Sequence, residues 1–135
     1  MKPRFERFVD WAVAAFGLRE RRITRTVHRG RPDTYEVEYL RRIYLLPAGW
    51  PLRLFLHHFT GSDPGPELHD HPFVWGVSLI LTGGYDERRP EGTYRRRPGT
   101  LNLIRSTTFH QVVIGAGRDC WTLFNVRAAV PRGRF

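Results

Sequence analysis

Short β-forming segments separated by turn residues fill this chain from residue 33 onward, and no helical pattern lies between them. The segments are rich in Val, Ile, Leu, Tyr and Phe, and clusters of Pro, Gly, Ser and Asp divide them, as is typical of strands joined by turns. We predict about eight to ten strands at near-regular spacing; the clearest cover residues 35–46, 52–59, 73–81, 85–89, 93–97, 100–104, 109–114 and 121–126. Because parallel strands need long crossover connections, usually helices, the pattern favours an all-β barrel or sandwich over an α/β sheet.

One amphipathic helix is predicted before the strands. Apolar residues recur there at three- and four-residue spacing, and Gly17 suits the C-cap position; the apolar side carries Phe5, Phe8, Val9, Ala12, Val13 and Phe16. We expect this side to pack against the barrel or a second subunit. The arginine-rich stretch 18–32 is predicted to be a basic connector or an exposed edge strand, so residues 1–32 precede a barrel domain at 33–135.

Composition excludes several classes of protein. A chain of 135 residues with 41% hydrophobic content can form one domain with a packed core. No apolar run approaches the about 20 residues of a membrane helix, and the N-terminus lacks the pattern of a secretory signal. The single cysteine, Cys120, cannot form an internal disulfide, which agrees with a reducing compartment. We therefore expect a cytoplasmic protein with no membrane contact.

The formal net charge of +9 raises the question of a nucleic-acid partner. Among the 22 basic residues only Lys2 is a lysine, and the arginines are spread along the whole chain. They are densest at residues 19–31 and 88–97. A dispersed arginine excess is weak support for a polyanion partner, so nucleic-acid binding is kept only as an alternative.

The most specific chemical feature is the run Glu-Leu-His-Asp-His at residues 67–71. On a strand, His69 and His71 would project to one side together with Glu67, because side chains alternate faces. His110 lies about forty residues downstream in another predicted strand, which a small barrel could bring to the same point. Neutral imidazoles bind Fe, Zn, Cu or Ni. The sequence therefore predicts a three-histidine metal site inside the barrel.

Other residues are candidates for roles around that site. Glu67 and Tyr85 are candidate acid/base groups, and Glu67 could also be a fourth ligand or orient an imidazole. Arg53 and Gln111 are candidates for binding a substrate in the cavity, where an arginine suits a carboxylate. His57 and His58 are adjacent on one strand, so only one can face inward. His58 is included among the substrate-binding candidates.

Residues 33–128 resemble the cupin superfamily of small jelly-roll barrels. His69, His71 and Gly83 match the spacing of the first cupin motif, and His110 follows Gly99 by the eleven residues of the second. The chain departs from the pattern where the first motif has a glutamate, because positions 75 and 76 are Trp and Gly. The Pro-x-Gly of the second motif is also missing, since positions 105 and 107 are Arg and Thr. The remaining three-histidine set is similar to the ferrous centre of the thiol dioxygenase branch.

The resemblance implies an all-β cupin jelly-roll barrel with an N-terminal helix, in which His69, His71 and His110 hold a divalent metal ion. Fe(II) is favoured, and Zn, Ni, Mn and Cu remain alternatives. The expected activity is oxygenation of a small anionic substrate that itself ligates the ion. A metal-assisted isomerase or lyase, and a non-catalytic small-molecule or nucleic-acid-binding cupin, are the alternatives. We also expect a homodimer.

Overall fold

The computed structural model describes residues 2–28, 34–47, 49–62, 73–115 and 117–128. Within these ranges one helix precedes nine strands: α1 (Arg4–Phe16), β1 (Glu20–His28), β2 (Thr34–Tyr44), β3 (Leu52–Phe59), β4 (Phe73–Thr82), β5 (Tyr85–Arg89), β6 (Gly92–Arg96), β7 (Leu101–Arg105), β8 (Gln111–Val113) and β9 (Cys120–Ala128).

The strands form two antiparallel sheets. The larger has the order β1-β2-β3-β9-β4-β7, and the smaller has the order β6-β5-β8. Buried apolar residues of both sheets pack together in one core cluster, which contains Leu40, Phe59, Ile80 and Cys120 from the larger sheet and Tyr85, Val112 and Ile114 from the smaller side. The predicted all-β architecture is confirmed.

Alternation along each strand gives the larger sheet an inner and an outer face. On β3, Phe55 and Phe59 belong to interior clusters, whereas Leu56 packs under the helix. Register then relates neighbouring strands, because directly paired residues share a face. On the inner face, Tyr44 of β2 is paired with Phe55 of β3, and Phe55 is paired in turn with Phe124 of β9.

Helix α1 lies on the outer face of the larger sheet. It ends at Gly17, whose φ of 61° is left-handed and whose N–H donates to the Val13 carbonyl, so the predicted C-cap is confirmed. Val9 is buried with Ile43 and Trp121. The apolar side is only partly covered, because Phe8 and Phe16 remain 60% and 70% exposed. This helix is too short and too polar to cross a membrane, and the described residues include no other α-helix.

The arginine-rich stretch after the helix forms an edge strand. β1 pairs with β2 from Glu20 to His28, so it belongs to the larger sheet. Polar cross-strand contacts accompany this pairing: Arg22 donates to both Glu38 oxygens at 3.0 Å, and Thr24 donates to Glu36 at 2.7 Å. The sequence analysis left a basic connector and an exposed edge strand as alternatives, and the structure has an edge strand at Glu20–His28.

Candidate functional site

A buried carboxylate, Glu87, lies at the centre of a polar cluster inside the barrel. Its side chain is completely buried. Oε1 accepts hydrogen bonds from Arg89 Nε at 2.6 Å and Arg96 Nη2 at 2.7 Å. Oε2 accepts from Asn102 Nδ2 at 2.7 Å and lies 2.9 Å from His110 Nδ1. The predicted ligand His110 is therefore held by a carboxylate that the sequence analysis had not selected.

Strand alternation and register explain this convergence. Glu87 is on the same face of β5 as Tyr85, which is in the core, while Asp86 points the other way. Glu87 is paired with Val112 of β8, and His110 precedes Val112 by two residues and so shares its face. Asn102 comes from β7 of the other sheet, so the cluster connects the two sheets.

The contacts of Glu87 fix the protonation of His110. Burial by itself would raise the pKa of the Glu87 carboxyl, but hydrogen bonds from His110, Arg89, Arg96 and Asn102 outweigh it and hold that pKa well below its usual range. An ionised carboxylate only accepts hydrogen bonds, so the proton of this bond is on His110 Nδ1. In a neutral imidazole the lone pair is then on Nε2, the nitrogen that points away from Glu87.

Tyr85 joins the same cluster. It is 2% exposed, and its hydroxyl oxygen accepts a hydrogen bond from Asn102 Nδ2 at 3.0 Å. Burial is the main reason why the pKa of the Tyr85 phenol is raised, and the nearby Glu87 charge adds to it. Tyr85 is therefore a neutral phenol near neutral pH. It can donate a proton or hydrogen bond, and its catalytic role stays a prediction.

Gln111 and His58 lie on other surfaces than His110. Gln111 follows His110 directly, so it faces away from Glu87, and its Oε1 accepts from Arg88 Nη1 at 2.9 Å. The ring of His58 stacks on Trp121 with 4.0 Å between centroids, and its Nε2 is 2.8 Å from Asp119 Oδ2. Because Trp121 packs under the helix, this stack is on the outer face of the larger sheet. The structure does not bring these two candidates to the Glu87 cluster.

His57 is the member of the histidine pair that faces the interior. Its Nε2 accepts a hydrogen bond from Arg42 Nε at 3.0 Å, and its ring stacks on Phe55 with 5.5 Å between centroids. Burial, followed by the charge of Arg42, places the pKa of His57 well below its usual value. His57 is therefore neutral and acts as an acceptor. The sequence analysis had instead included His58 among the site residues.

Arg53 lies on the inner side of β3. It precedes Phe55 by two residues and shares its face, and it is half-buried. Its Nε atom is buried and has no hydrogen-bond partner within the described part of the chain. Arg53 thus faces the interior, and its role in substrate binding stays a prediction.

The other predicted ligands fall outside the described residues: Glu67, His69 and His71. Among the described ranges, no group of three or more His, Cys, Asp and Glu side chains is arranged to hold a metal ion. Of the predicted triad only His110 is described. The three-histidine site therefore stays a prediction, whose described part is an imidazole oriented by Glu87.

Sequence reasoning missed the partners of His110 although one signal was present. The run Tyr-Asp-Glu-Arg-Arg at residues 85–89 alternates, and a core Tyr85 places Glu87 and Arg89 on the same inner face. Asn102 gave no such signal, because its role depends on how the two sheets approach each other. Arg42 was also missed, since a lone arginine in a strand is ordinarily exposed.

No protein-family model and no curated protein matches this sequence. Solved structures do match it. A cupin-2 domain protein of Rhodospirillum rubrum is 19% identical, with a TM-score of 0.59 over 87% of this chain and 73% of that one. A cupin 2 conserved barrel domain protein of Rhodopseudomonas palustris is 18% identical, with a TM-score of 0.58 over 87% and 75%. The polyketide cyclase RemF of Streptomyces resistomycificus is 22% identical, with a TM-score of 0.56 over 68% and 72%. These similarities show that the chain has the cupin fold.

Proposed function

We propose that this cupin-fold chain is a metal-dependent oxygenase that acts on a small anionic substrate and binds a divalent ion through His69, His71 and His110. The observation that carries the proposal is the contact between His110 Nδ1 and the buried, ionised Glu87. Metal-ligating histidines almost always donate their second N–H to a carboxylate, carbonyl or water, which fixes the tautomer and makes the other nitrogen a better ligand. His110 has this arrangement.

The cost of the Glu87 charge also supports a role beyond packing. Removing a carboxylate from water costs several kcal/mol before compensation, and replacing a buried ionic group by apolar residues is often neutral or stabilising. Here two guanidinium groups, Arg89 and Arg96, are used to keep Glu87 ionised. An ionised acceptor makes a metal-ligating imidazole more basic and so a better ligand, whereas a purely structural histidine gains nothing from that charge.

The proposed donor set determines the class of substrate. Three neutral imidazoles leave the positive charge of a divalent ion uncompensated, which favours an anionic substrate such as a thiolate, carboxylate or enolate. Fe(II), the ion we favour, supplies dioxygen activation when bound, and Zn, Ni, Mn and Cu suit the same ligands. The chain itself contributes Glu87, which orients His110, and Tyr85, which can donate a proton in a site shielded from water. Glu67 remains a candidate acid or base.

Metal analysis of the purified full chain tests the proposal. We expect stoichiometric metal in the wild-type protein and loss of it in His110→Gln. Glu87→Gln should weaken metal affinity by about 10- to 100-fold, since it removes the orienting acceptor. Asp86→Asn is the matched control, because it removes a carboxylate from the outer face of the same strand and should leave metal binding unchanged. Retention of full metal content by His110→Gln contradicts the proposal.

Oxygen consumption then tests the reaction. Dioxygen uptake by the iron-loaded protein should depend on one member of a panel of small thiols and α-hydroxy or α-keto acids. Uptake should be lost in His110→Gln and retained in Asp86→Asn. No uptake with any member of the panel would remove the oxygenase assignment while leaving metal binding intact.

A second candidate is a redox-neutral reaction such as a metal-assisted isomerisation or cyclisation. The observation that favours it is the interior phenol of Tyr85, which stays protonated and can donate a hydrogen bond to a substrate oxygen. The fold similarity to a polyketide cyclase is in keeping with such chemistry. Stoichiometric zinc without oxygen uptake, together with slower turnover in Tyr85→Phe at unchanged metal content, would favour this candidate.

A further inference from the structure

A second polar group lies on the inner face of the larger sheet, several strands away from Asn102 of the Glu87 cluster. Arg42 of β2 is paired with His57 of β3, and His57 is paired with Thr122 of β9. Paired residues share a face and neighbouring strands are about 4.8 Å apart, so the three side chains form a row across the inner surface. Arg53 lies on the same face of β3 as His57.

Arg42 has no carboxylate partner, unlike three other shielded arginines of the described residues. Arg89 and Arg96 both pair with Glu87, and Arg41 pairs with Asp10 and Glu20 at 2.6 Å each. Within the described parts of the chain, neither Arg42 nor Arg53 forms an ion pair. The contacts of Arg42 are instead an Nε hydrogen bond to His57, a side-chain hydrogen bond with Tyr44, and a cation–π contact, with Cζ 4.8 Å from the centroid of Phe55.

This shielded charge is not neutralised by the groups around it. His57 is a neutral acceptor, and Phe55 offers only the face of its ring. Burial is the main reason why the pKa of the Arg42 guanidinium is lowered; the contact with Tyr44 opposes this effect, and the charge of Arg21 adds to it. Shielding a cation without a paired anion is costly, because the charge loses hydration without gaining a partner. An anion bound beside Arg42 would remove that cost.

Two hydrogen-bond donors on the same inner face also lack partners. Thr122 is 1% exposed, and its Oγ1 makes no hydrogen bond within the described residues. The same is true of Arg53 Nε, which is buried. Buried polar groups of native proteins are rarely left unsatisfied, and such exceptions require an explanation. Thr122 lies four residues along β9 from Val126, the partner of Arg53, so the two donors are not adjacent. A bound oxyanion, which is rich in acceptor lone pairs, would satisfy Arg53, which is next to Phe55 on the face over which Arg42 lies.

We propose that Arg42 and Arg53, beside Phe55, form a binding site for a small oxyanion, a carboxylate or a phosphate group. A guanidinium recognises either group through two parallel N–H···O bonds, which a lysine could not reproduce. Arg19, whose Cζ lies 4.0 Å from the ring centroid of the neighbouring Tyr44, adds positive potential at the exposed edge of this surface. The inference rests on the proposed function only in taking this oxyanion to be part of the substrate.

Calorimetric titration of the full chain tests the site, with benzoate as the carboxylate probe and inorganic phosphate as the second probe. We expect one of them to bind at low ionic strength, and the tighter probe identifies the anion class. Arg42→Gln and Arg53→Gln should each weaken binding by at least about tenfold, as expected for losing a charged hydrogen-bond donor. Arg42→Lys should also weaken binding, since it keeps the charge and loses the paired donors.

The matched control is Arg22→Gln, which removes one positive charge from an exposed arginine that is already paired with Glu38. It should change affinity by less than about twofold, because exposed charges are strongly screened. Thermal melts identify variants that fail to fold, and Arg53→Gln, at a half-exposed position, carries the test if Arg42→Gln is one of them. Equal loss in Arg22→Gln, or no binding of either probe by the wild-type chain, overturns the inference.

Titrations with and without a chelator separate this inference from the proposed function. Oxyanion binding should persist in the metal-free protein, because neither Arg42 nor Arg53 depends on a metal. A chain that binds the oxyanion but takes up no metal would support the site and contradict the proposed function. A chain that takes up metal but binds neither probe would contradict the oxyanion site and leave the metal site of the proposed function supported.

Discussion

Gly76 explains at the level of one residue why the cupin glutamate is missing from its usual position. A Cβ atom at Gly76 would lie 2.7 Å from Cζ of Phe124 and 3.0 Å from Cγ1 of Val126, so a larger side chain would require both to move. Among the described residues, Glu87 on the other sheet provides a fully buried carboxylate. The absence of the motif glutamate was visible in the sequence, but the interior position of Glu87 depends on sheet packing that the sequence does not display.

Glu87→Gln is predicted to destabilise the protein by about 3–5 kcal/mol, the usual cost of removing one partner from a buried ion pair. The change leaves Arg89 and Arg96 without their anion. Urea denaturation measures the loss. Asp86→Asn should cost only about 0–1 kcal/mol, because the pair of Asp86 with Arg95 is exposed. Equal costs for the two variants would contradict the central role of Glu87.

His57 is predicted to make stability fall as the pH falls. Its pKa is well below the usual value in the folded state, so below about pH 6.5 the unfolded chain binds a proton that the folded chain does not. The stabilisation is therefore complete above the pKa that His57 has in the unfolded chain. As the pH falls from there towards the pKa of His57 in the folded chain, stability is lost by up to about 1.4 kcal/mol per pH unit.

Denaturation curves between about pH 7 and pH 5 test this expectation, with His57→Gln as the comparison. The glutamine keeps an acceptor for Arg42 Nε but does not titrate. The pH dependence should be shallower in the variant, and identical slopes would show that other groups are responsible.

Among the elements, those with apolar patterning were predicted well and those held by polar contacts were not. The predicted helix, Gly17 cap and most strands are confirmed, because periodicity and turn residues are local signals. The sequence analysis left β1 open between a strand and a connector. Its pairing is accompanied by polar contacts such as Arg22 with Glu38, which an apolar pattern does not indicate. The segment 109–114 is shorter than expected and forms only β8 (Gln111–Val113). Of the candidate site, His110 and Tyr85 were found from pattern, whereas the choice between His57 and His58 needed the register.

Among the connections that the structure describes in full, the turn between β4 and β5 is predicted to tolerate substitution poorly. Gly83 has a φ of 79°, and a Cβ there would overlap the Asp119 carbonyl oxygen. Gly83→Ala should therefore cost clearly more than the about 1–2 kcal/mol of a left-handed alanine. Gly99→Ala is the matched control, because its φ is 82° and nothing lies within 4 Å of its Cβ position. Urea denaturation of both variants makes the comparison, and equal losses would mean that the overlap relaxes.

At the scale of the whole molecule, charge and exposed apolar surface have opposite effects on association. The formal net charge of +9 repels a second copy. Large apolar side chains are nevertheless exposed on α1 and β7, including Trp11 at 59%, Phe16 at 70% and Leu101 at 67%. Burying such residues is the usual driving force of subunit contacts.

The homodimer expected from the sequence should therefore form more readily as salt screens this repulsion. Sedimentation at about 0.05 M and about 0.5 M salt, where the screening length falls several-fold, tests the expectation. The mass should shift from near the 15.8 kDa of one chain towards twice that value. A single chain at both salt concentrations would contradict the prediction.

The position of Glu87 between the two sheets has a consequence for how this barrel could evolve or be redesigned. The same carboxylate that aims His110 also joins β5 and β6 to Asn102 on the larger sheet. A substitution of Glu87 that changes the properties of the His110 imidazole would therefore also weaken the contact between the two sheets. Altered chemistry at this histidine through position 87 thus carries a cost in stability, which a compensating change at Arg89 or Arg96 would reduce.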